Sequence, residues 1–157
     1  MKVELICIGK TSKSFLEQGE KEYLKRLKRY LKFEKVELPD VKMAKNTSVE
    51  VIKQKEADLF NQKIGPSDYV VLLDEQGKTF TSVQFAQYMQ QLFNQGGHKI
   101  VFLIGGPYGF HRSIDERANV KLSLSAMTFS HQMIRMLFLE QFYRGMTILK
   151  GEPYHHQ

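Results

Sequence analysis

The sequence predicts an α/β domain built on a mostly parallel sheet that carries helices on both faces. Apolar runs of strand length alternate with helical patterns along the whole chain, which is the order expected of such layered domains. The runs "YVVLLD" (69–74) and "KIVFLIG" (99–105) are apolar almost throughout, as is typical of central parallel strands covered on both sides. No repeat, linker or low-complexity segment divides the 157 residues, so we expect one domain over 1–157.

The first strand and the first helix follow from a short apolar run and from helical spacing. "VELICIG" (3–9) is too short for a helix and ends at Gly9, so it predicts a buried strand. Apolar residues then recur near helical spacing over 14–31. Ser14 and Glu17 match the capping-box pattern, in which the two side chains satisfy the first free backbone amides of a helix. We therefore expect this helix to be capped by Ser14.

The second strand and helix are bounded by turn-forming residues. "FEKVEL" (33–38) alternates between apolar and charged side chains and stops at Pro39, so it predicts a strand. Thr47 and Glu50 form a second capping-box pattern, which predicts a helix running to about Lys63. The Gly-Pro pair that follows breaks this helix.

The second half of the chain continues the alternation. A helix is predicted over 82–95, where a pair of glycines stops it, and a short helix near 112–118. "VKLSLS" (120–125) predicts a strand, and "HQMIRMLFLEQFYRG" (131–145) predicts the last helix.

The last helix is apolar around most of its circumference. A helix of this kind must be covered on nearly all sides, and a small domain normally leaves one side of its last helix to water. A second subunit would cover that side, so we expect a homodimer; full burial within one chain is the alternative. The apolar positions are Met133, Ile134, Met136, Leu137, Phe138, Leu139, Phe142 and Tyr143.

The composition indicates a basic protein of a reducing compartment. The net charge of +6 and the pI near 9.3 suit a polyanionic partner. A single cysteine, Cys7, excludes an internal disulfide within one chain, so we expect a cytoplasmic protein. No segment approaches the roughly 18 apolar residues of a membrane span, so no membrane partner is expected.

Positive charge is concentrated in "KEYLKRLKRYLK" (21–32). Two interpretations stay open: an ordinary solvated helix face, or a patch that binds nucleic acid. Its cations are Lys21, Lys25, Arg26, Lys28, Arg29 and Lys32.

Three loops follow three predicted strands and carry the residues best suited to a ligand. They lie in "LLDEQGK" (72–78), "LIGGPYGF" (103–110) and "LSLSAMTFSHQ" (122–132). Open α/β sheets bind ligands at the carboxyl ends of their strands, so we expect the loops to converge on one small, mostly apolar pocket. Neither glycine-rich phosphate fingerprint is met.

No catalytic constellation of the usual kinds is visible. The five histidines show no ligand spacing, so no metal is expected, and there is no nucleophile-elbow or Cys-His signature. A cofactor or substrate must therefore supply the electrophile. The tail "GEPYHHQ" (151–157) has three interpretations: the remnant of a tag, a disordered end, or a segment docked at a site.

The segments "LLDEQGK", "FLIGGPYGF", "LSLSAMTFSHQMIRMLFLEQFYRG" and "PYHH" together resemble the RlmH family of SPOUT-class methyltransferases, over the whole chain. The resemblance implies a C-terminal trefoil knot, a homodimer, and transfer of a methyl group from S-adenosylmethionine (SAM) to N3 of a pseudouridine. The implied substrate is 23S ribosomal RNA, within the large subunit or the whole ribosome.

The resemblance also implies roles for individual residues. Tyr154 and His155 are the implied catalytic residues, with His155 accepting the N3 proton, and Arg144 and His156 the implied RNA contacts. Ser130 stands where the family pattern leads us to expect proline, and we expect it to cap the last helix instead. Gln157 replaces an expected basic ending. The implied SAM contacts are Leu73, Gly105, Leu124, Ser125, Ala126, Met127, Thr128 and Phe129.

Two other functions compete with this interpretation. A non-catalytic RNA-binding module would share the basic helix but would not need three convergent apolar loops. A nucleotide-dependent enzyme on a doubly wound sheet would need a phosphate fingerprint, which is missing. Binding of SAM separates the methyltransferase from both.

Overall fold

The computed structural model describes residues 1–156 and confirms the predicted alternation of strands and helices. The elements, in chain order, are β1 (Lys2–Ile8), α1 (Ser14–Leu27), β2 (Lys32–Leu38), α2 (Val49–Asn61), β3 (Tyr69–Thr79), α3 (Ser82–Gln95), β4 (Ile100–Ile104), α4 (Arg112–Arg117), β5 (Val120–Ser123) and α5 (Met133–Leu149).

The five strands form one sheet in the order β2-β1-β4-β3-β5, and every pair is parallel. The parallel sheet is therefore confirmed. Because all strands point the same way, the carboxyl ends of β3, β4 and β5 lie at one edge of the sheet. The loops that follow them start from neighbouring positions.

Helices cover both faces of the sheet, as predicted. Along β1, Val3, Leu5 and Cys7 face a core formed with α1, α3 and α5. Ile6 and Ile8 face a second core formed with α2 and α4. This alternation explains why the central strands are apolar throughout. Within residues 1–156, every helix is too short or too polar to serve as a membrane span.

Two predicted helix ends are wrong for reasons of packing. The last helix does not stop at Gly145; it continues to Leu149. A side chain at Gly145 would place Cβ 2.3 Å from Met89 Cε on α3, so this glycine permits close helix packing. The chain leaves the helix at Gly151, whose φ of 66° suits a helix C-terminus. At the other misplaced end, α1 stops at Leu27 rather than residue 31, because 28–30 tighten into turns that lead into β2.

The predicted caps are partly wrong. Ser14 lies inside α1, and the preceding residue makes no side-chain cap. In α2 the cap is Ser48, not Thr47: its hydroxyl accepts a hydrogen bond from Val51 N at 3.2 Å. The expectation that Ser130 caps the last helix is also wrong in position: the N-cap residue of α5 is Gln132, which makes no side-chain cap, although the Ser130 hydroxyl accepts a hydrogen bond from the Met133 amide at 3.1 Å.

Arg135 is fully buried and fastens α5 to the carboxyl end of β1. Its guanidinium donates to the carbonyls of Ile8 at 2.6 Å and Gly9 at 2.8 Å, and to Thr11 Oγ1 at 3.2 Å. Its Nε also donates to the carbonyl of His131 at 3.1 Å. One side chain thereby satisfies backbone carbonyls of two separate segments, which burial would otherwise leave unpaired.

Two carboxylates complete the network around this guanidinium. Glu20 accepts a hydrogen bond from the Thr11 hydroxyl at 2.7 Å and pairs with Lys35. Glu37 accepts from the Thr11 amide at 2.8 Å and lies 3.7 Å from Arg135. The network therefore joins α1, β1, β2 and α5, and its charges are paired as buried charges must be.

We predict that Arg135→Met lowers the free energy of unfolding by about 3–5 kcal/mol, because the carbonyls of Ile8, Gly9 and His131 lose their buried, charged donor. Urea denaturation followed by circular dichroism measures this loss. Arg112→Met is the matched control: its side chain is 86% exposed and pairs with Glu116 at the surface, so the change should stay below about 1 kcal/mol. Equal losses in the two variants would show that the network does not hold the fold.

Candidate active site

A cavity of about 510 Å³ lies at the carboxyl ends of β3, β4 and β5. The three predicted loops therefore converge on one pocket, in the size range of small-molecule sites. Ala126 belongs to the third loop but does not line the cavity. Seven of the eight residues expected to contact SAM do line it: Leu73, Gly105, Leu124, Ser125, Met127, Thr128 and Phe129.

The first loop is an excursion within β3, which extends beyond its predicted end at residue 74. Leu73 and Lys78 both pair with Leu122 of β5, so residues 74–77 bulge out between them. Gly77 makes this possible, because a Cβ there would lie 2.6 Å from Leu122 N. The strand end and its excursion thus wrap closely around β5.

The second loop, after β4, turns tightly beside the cavity. The Gly109 amide donates to the Gly106 carbonyl at 3.2 Å, and Gly109 has a φ of 81°. The loop also rests on α2, where Phe110, which lines the cavity, packs against Phe60 with ring centroids 6.0 Å apart. The helix therefore acts as a rigid backing for the loop.

The third loop, between β5 and α5, is shaped by its own hydroxyl groups. Ser123 donates to the Ser125 carbonyl at 2.8 Å, and the Ser125 hydroxyl accepts from the Met127 amide at 2.9 Å. Thr128 donates to Glu75 across the gap to the first loop, at 2.5 Å. Met127 remains 75% exposed, which leaves an apolar side chain free at this edge.

The expectation of a mostly apolar pocket is wrong, because charged and titratable groups that the sequence interpretation did not select also line the cavity. Lys121 pairs with Asp115 at 2.9 Å on one wall. His131 lies at the start of the last helix, and burial together with the nearby Arg135 charge lowers its pKa. Its imidazole is therefore neutral at pH 7 and able to accept a proton. A search for metal-ligand spacing in the sequence could not single out this histidine, because no other histidine lines the cavity beside it.

A second cavity of about 440 Å³ adjoins the first. The two share the wall formed by residues 122–125 and Phe129, and the second extends along α5 to Glu140. The third loop therefore separates two spaces at the same edge of the sheet.

The tail packs on the protein surface, which contradicts the disordered reading. Tyr154 stacks edge-on against Tyr143 with ring centroids 4.7 Å apart, and its hydroxyl donates to Glu140 at 3.1 Å. Arg144 lies over the Tyr154 ring at 4.8 Å and contacts His155 Nδ1 at 3.3 Å. Burial, and then contacts with Tyr23 and Glu140, raise the pKa of Tyr154, so its hydroxyl stays protonated at neutral pH.

The tail of one chain does not line the first cavity of the same chain. Ile134 lines that cavity from the first turn of α5, whereas the tail contacts Glu140 and Arg144. These contacts lie about 9–15 Å further along the helix axis, at 1.5 Å per residue. The expected cofactor residues therefore lie together at the first cavity, and the tail residues lie together at a separate place further along α5. Gln157 lies outside the described residues.

The residues expected to contact RNA differ in their exposure to solvent and in their pairing with other side chains. Arg144 lies inside α5 rather than in its last turn, and it pairs with Glu140. His156 is exposed. In the basic segment four of the six cations pair with carboxylates, namely Lys21, Arg26, Arg29 and Lys32. Exposed pairs of this kind are weak, so they do not prevent contact with phosphate.

Residues 1–156 contain no group of three or more His, Cys, Asp or Glu side chains that could hold a metal ion. Cys7 is buried, and burial raises the pKa of its thiol to about 12, so it is not a nucleophile at neutral pH.

Comparison with known proteins assigns the chain to a family. The family model described as predicted SPOUT methyltransferase matches residues 1–155. Proteins named ribosomal RNA large subunit methyltransferase H are 51% identical in Christiangramia forsetii, 49% in Parabacteroides distasonis and 45% in Bacteroides thetaiotaomicron. Each of these alignments covers 157 residues and 100% of both chains.

A solved structure supports the fold independently. A probable methylase family protein from Haemophilus influenzae superimposes with a TM-score of 0.54 at 13% identity, covering 99% of this chain and 70% of the other. The chain is therefore a member of the SPOUT methyltransferase family, in the group of the ribosomal RNA large subunit methyltransferase H proteins.

Proposed function

We propose that this protein methylates N3 of a pseudouridine in 23S ribosomal RNA, with SAM as the methyl donor. The observation that carries the proposal is the cavity at the strand ends, which gathers seven of the eight expected cofactor residues. The coarser part, a methyltransferase of large-subunit ribosomal RNA, has the support of full-length relatives with that name. An RNA substrate would place the protein in the cytoplasm.

The residues around the cavity suit SAM. Leu73, Leu124 and Phe129 would provide apolar walls for a purine, and the glycine loop lines the same cavity with its backbone groups. Bound SAM would supply an electrophilic methyl group on its sulfonium sulfur. The loops around the cavity would orient the donor toward the acceptor, and such orientation can remove a large part of the barrier.

The reaction requires a group that takes a proton. A bond forms between the methyl carbon and N3, the bond from that carbon to sulfur breaks, and the N3 proton leaves to a base. We propose His155 as this base, with Tyr154 stacking on or donating a hydrogen bond to the substrate. His131 is the second basic group near the site, since its pKa is lowered and it lines the cavity.

A homodimer would bring the tail to a cavity. The first half of α5 is only partly covered in one chain, at Met133, Met136 and Leu137, and Phe15 on α1 is 60% exposed. Gly19 of α1 lies against Met136, so α1 and α5 meet closely beside these partly covered apolar side chains and form one face with them. A second copy seated on this face would cover it, and the tail of one subunit would then complete the pocket of the other.

RNA would be held by cations near the tail. Arg144 presents its guanidinium beside His155, and His156 is exposed next to it. The unpaired lysines of the basic segment, Lys25 and Lys28, extend this surface within the described part of the chain. Contacts of this kind position the RNA backbone without reading its sequence.

The trefoil knot implied by the resemblance is also a proposal. The double pairing of Leu122 with Leu73 and Lys78, and the close approach of Gly77, support a chain wrapped tightly around β5.

We expect methyl label from SAM to appear in 23S ribosomal RNA, at N3 of a pseudouridine, when the protein is incubated with unmodified ribosomes. Parallel reactions with naked RNA, large subunits and whole ribosomes identify the substrate, and mass spectrometry of the digested RNA locates the methyl group. Label at a different base or ring atom, or none in any of the three reactions, would refute the proposed function.

We expect His155→Ala to reduce the rate of transfer at saturating substrate by at least about a hundredfold, the effect of removing a positioned base. SAM binding, measured by calorimetry, should be unchanged. His156→Ala is the matched control: it should raise KM for the ribosome and leave the maximal rate close to that of the wild type. A His155 variant with near-normal turnover would transfer the role of base to another group, with His131 the first to test.

If each active site combines the cofactor loops of one subunit with the tail of the other, two inactive variants should restore activity when they form mixed dimers. His155→Ala lacks the base, and Gly105→Val obstructs the cofactor loop, since even a Cβ there would lie 3.3 Å from the Gly109 carbonyl. When equal amounts are unfolded and refolded together, half of the dimers are mixed, and each has one intact site. We expect about a quarter of the wild-type rate per protein. Mixtures no more active than the separate variants would show that each chain builds its own site.

A further inference from the structure

Glu152 is a charged residue at the start of the tail whose role the proposed reaction leaves unexplained. It follows the turn at Gly151, where the chain leaves α5, and precedes Pro153 and the expected catalytic residues. Its side chain is 32% exposed, so it is partly withdrawn from solvent although it lies close to the end of the chain. Chain ends are usually loose, so a carboxylate held in this place calls for an explanation.

The carboxylate of Glu152 is fastened to the turn between α1 and β2. The Tyr30 hydroxyl donates a hydrogen bond to Glu152 Oε2 at 2.6 Å, and Arg29 Nη2 donates to the same oxygen at 3.2 Å. Arg29 Nη2 also donates to the Tyr30 hydroxyl at 3.3 Å, so the three side chains form one connected group. The tail is thereby tied to a segment at the opposite end of the sequence.

Tyr30 is the main partner in this contact. The Arg29 side chain is 64% exposed, and exposed ion pairs contribute little. Tyr30 is half-buried, and its ring centroid lies 6.2 Å from that of Tyr143 on α5. Burial, and then the hydrogen bond to the Glu152 carboxylate, raise the pKa of Tyr30 to about 12, so its hydroxyl remains a donor at neutral pH.

The backbone around Glu152 transmits this contact to the rest of the tail. The Glu152 amide donates to the Thr147 carbonyl at 2.9 Å, which closes the end of α5. A residue before proline is restricted to extended backbone, and the proline ring fixes its own φ. The chain from Glu152 to Tyr154 therefore has little freedom, and fixing the carboxylate limits where the residues after Pro153 can lie.

The other contacts of the tail would hold it less firmly on their own. Among the described residues, His155 has one polar side-chain contact, with Arg144 at 3.3 Å. Gly151 is exposed, and a glycine gives the chain a point about which the following segment can turn. Without the Glu152 side chain, Tyr154 would be the main side chain that holds the tail.

We infer that Glu152 is a positioning residue for methyl transfer. With Tyr30 as its main partner, it fixes the start of the tail, so that Tyr154 and His155 reach the reacting ring in one orientation. This inference rests on the proposed role of the tail in the reaction. In this role Glu152 touches neither substrate nor cofactor. A displacement of about 1 Å at a reacting group can cost about a hundredfold in rate, so such an anchor affects the rate without binding a ligand.

Transfer rates of the full-length protein test the inference. Tyr30→Phe removes one hydroxyl without a change of charge, and Glu152→Ala removes the acceptor. Each should lower the maximal rate at least about tenfold, because the base is no longer held in one place, while KM for the ribosome does not rise and SAM affinity is unchanged. The double variant should be no slower than the slower single variant, since both changes remove the same contact. Glu152→Gln keeps an oxygen that accepts from Tyr30 and should restore most of the rate.

Two matched controls separate positioning from structural support. Tyr69→Phe also removes a hydroxyl that bonds another side chain, Tyr88, at 3.0 Å, but it lies at the start of β3, away from the strand ends that form the first cavity. Glu116→Gln removes the charge of an exposed carboxylate that pairs with Arg112 on α4. Both controls should leave the transfer rate unchanged, even if Tyr69→Phe lowers the melting temperature as much as Tyr30→Phe does.

The imidazole of His155 gives a readout that does not depend on activity. The chain has five histidines, so the imidazole signals of protein made with isotope-labelled histidine can be assigned in NMR spectra by replacing each histidine in turn. In Tyr30→Phe and in Glu152→Ala the His155 signals should move toward those of a mobile side chain. The signals of His98, in the loop before β4, should stay where they are in the wild type.

The two readouts distinguish failure of this inference from failure of the proposed function. Unchanged His155 signals in both variants would overturn the inference, whatever the rates. Signals that move without any loss of rate would support the anchor and refute the proposed role of His155 in the reaction. A wild-type protein that transfers no methyl group refutes the proposed function, and the NMR spectra then still test whether Glu152 holds the tail.

Discussion

The buried guanidinium of Arg135 is the interaction on which the rest of the structure depends. Its hydrogen bonds to Ile8, Gly9 and His131 tie the start of α5 to the carboxyl end of β1. The third loop must therefore run from the end of β5 to a helix whose first turn is already fixed, and it can only pass over the strand ends. The wall that it forms separates the two cavities, so a charge deep in the fold determines the shape of the site.

The cavity is formed by three strand-end loops that lie far apart in the sequence, which explains why no motif of catalytic side chains is visible in any one segment. Three loops contribute glycine, small hydroxyl residues, apolar side chains and charged groups, and each loop is held by its own contacts. Loop 74–77 is held by β5, the glycine loop by α2, and the third loop by its own hydroxyl groups. A transfer in which the cofactor supplies the electrophile needs orientation and a dry pocket more than it needs charged side chains.

Local patterns predict the strands and the pocket well, and they fail where distant segments meet. Five segments of strand length, some apolar throughout and some alternating, yield the five strands, and the strand-end rule brings the three loops together. Gly145 looks like a helix stop, but it serves contact with Met89, which is 56 residues away in sequence. Glu56 looks like an ordinary surface residue of an amphipathic helix, and only the fold shows that it faces a glycine. Contacts between residues so far apart leave no periodic pattern in the sequence, because each residue looks ordinary within its own helix or loop.

The arrangement of α5 gives a physical reason for two copies. Its first turn borders the cavity, its middle part carries Glu140 and Arg144, and the tail folds back on that part. A single chain therefore keeps its expected cofactor residues and its tail on separate stretches of one rigid helix. In a dimer with two-fold symmetry the same face is used by both subunits, so α5 of one subunit can run past α5 of the other in the opposite direction. The tail of each subunit would then come near the pocket of its neighbour. The apolar face that one small domain leaves uncovered would be the contact that positions this tail.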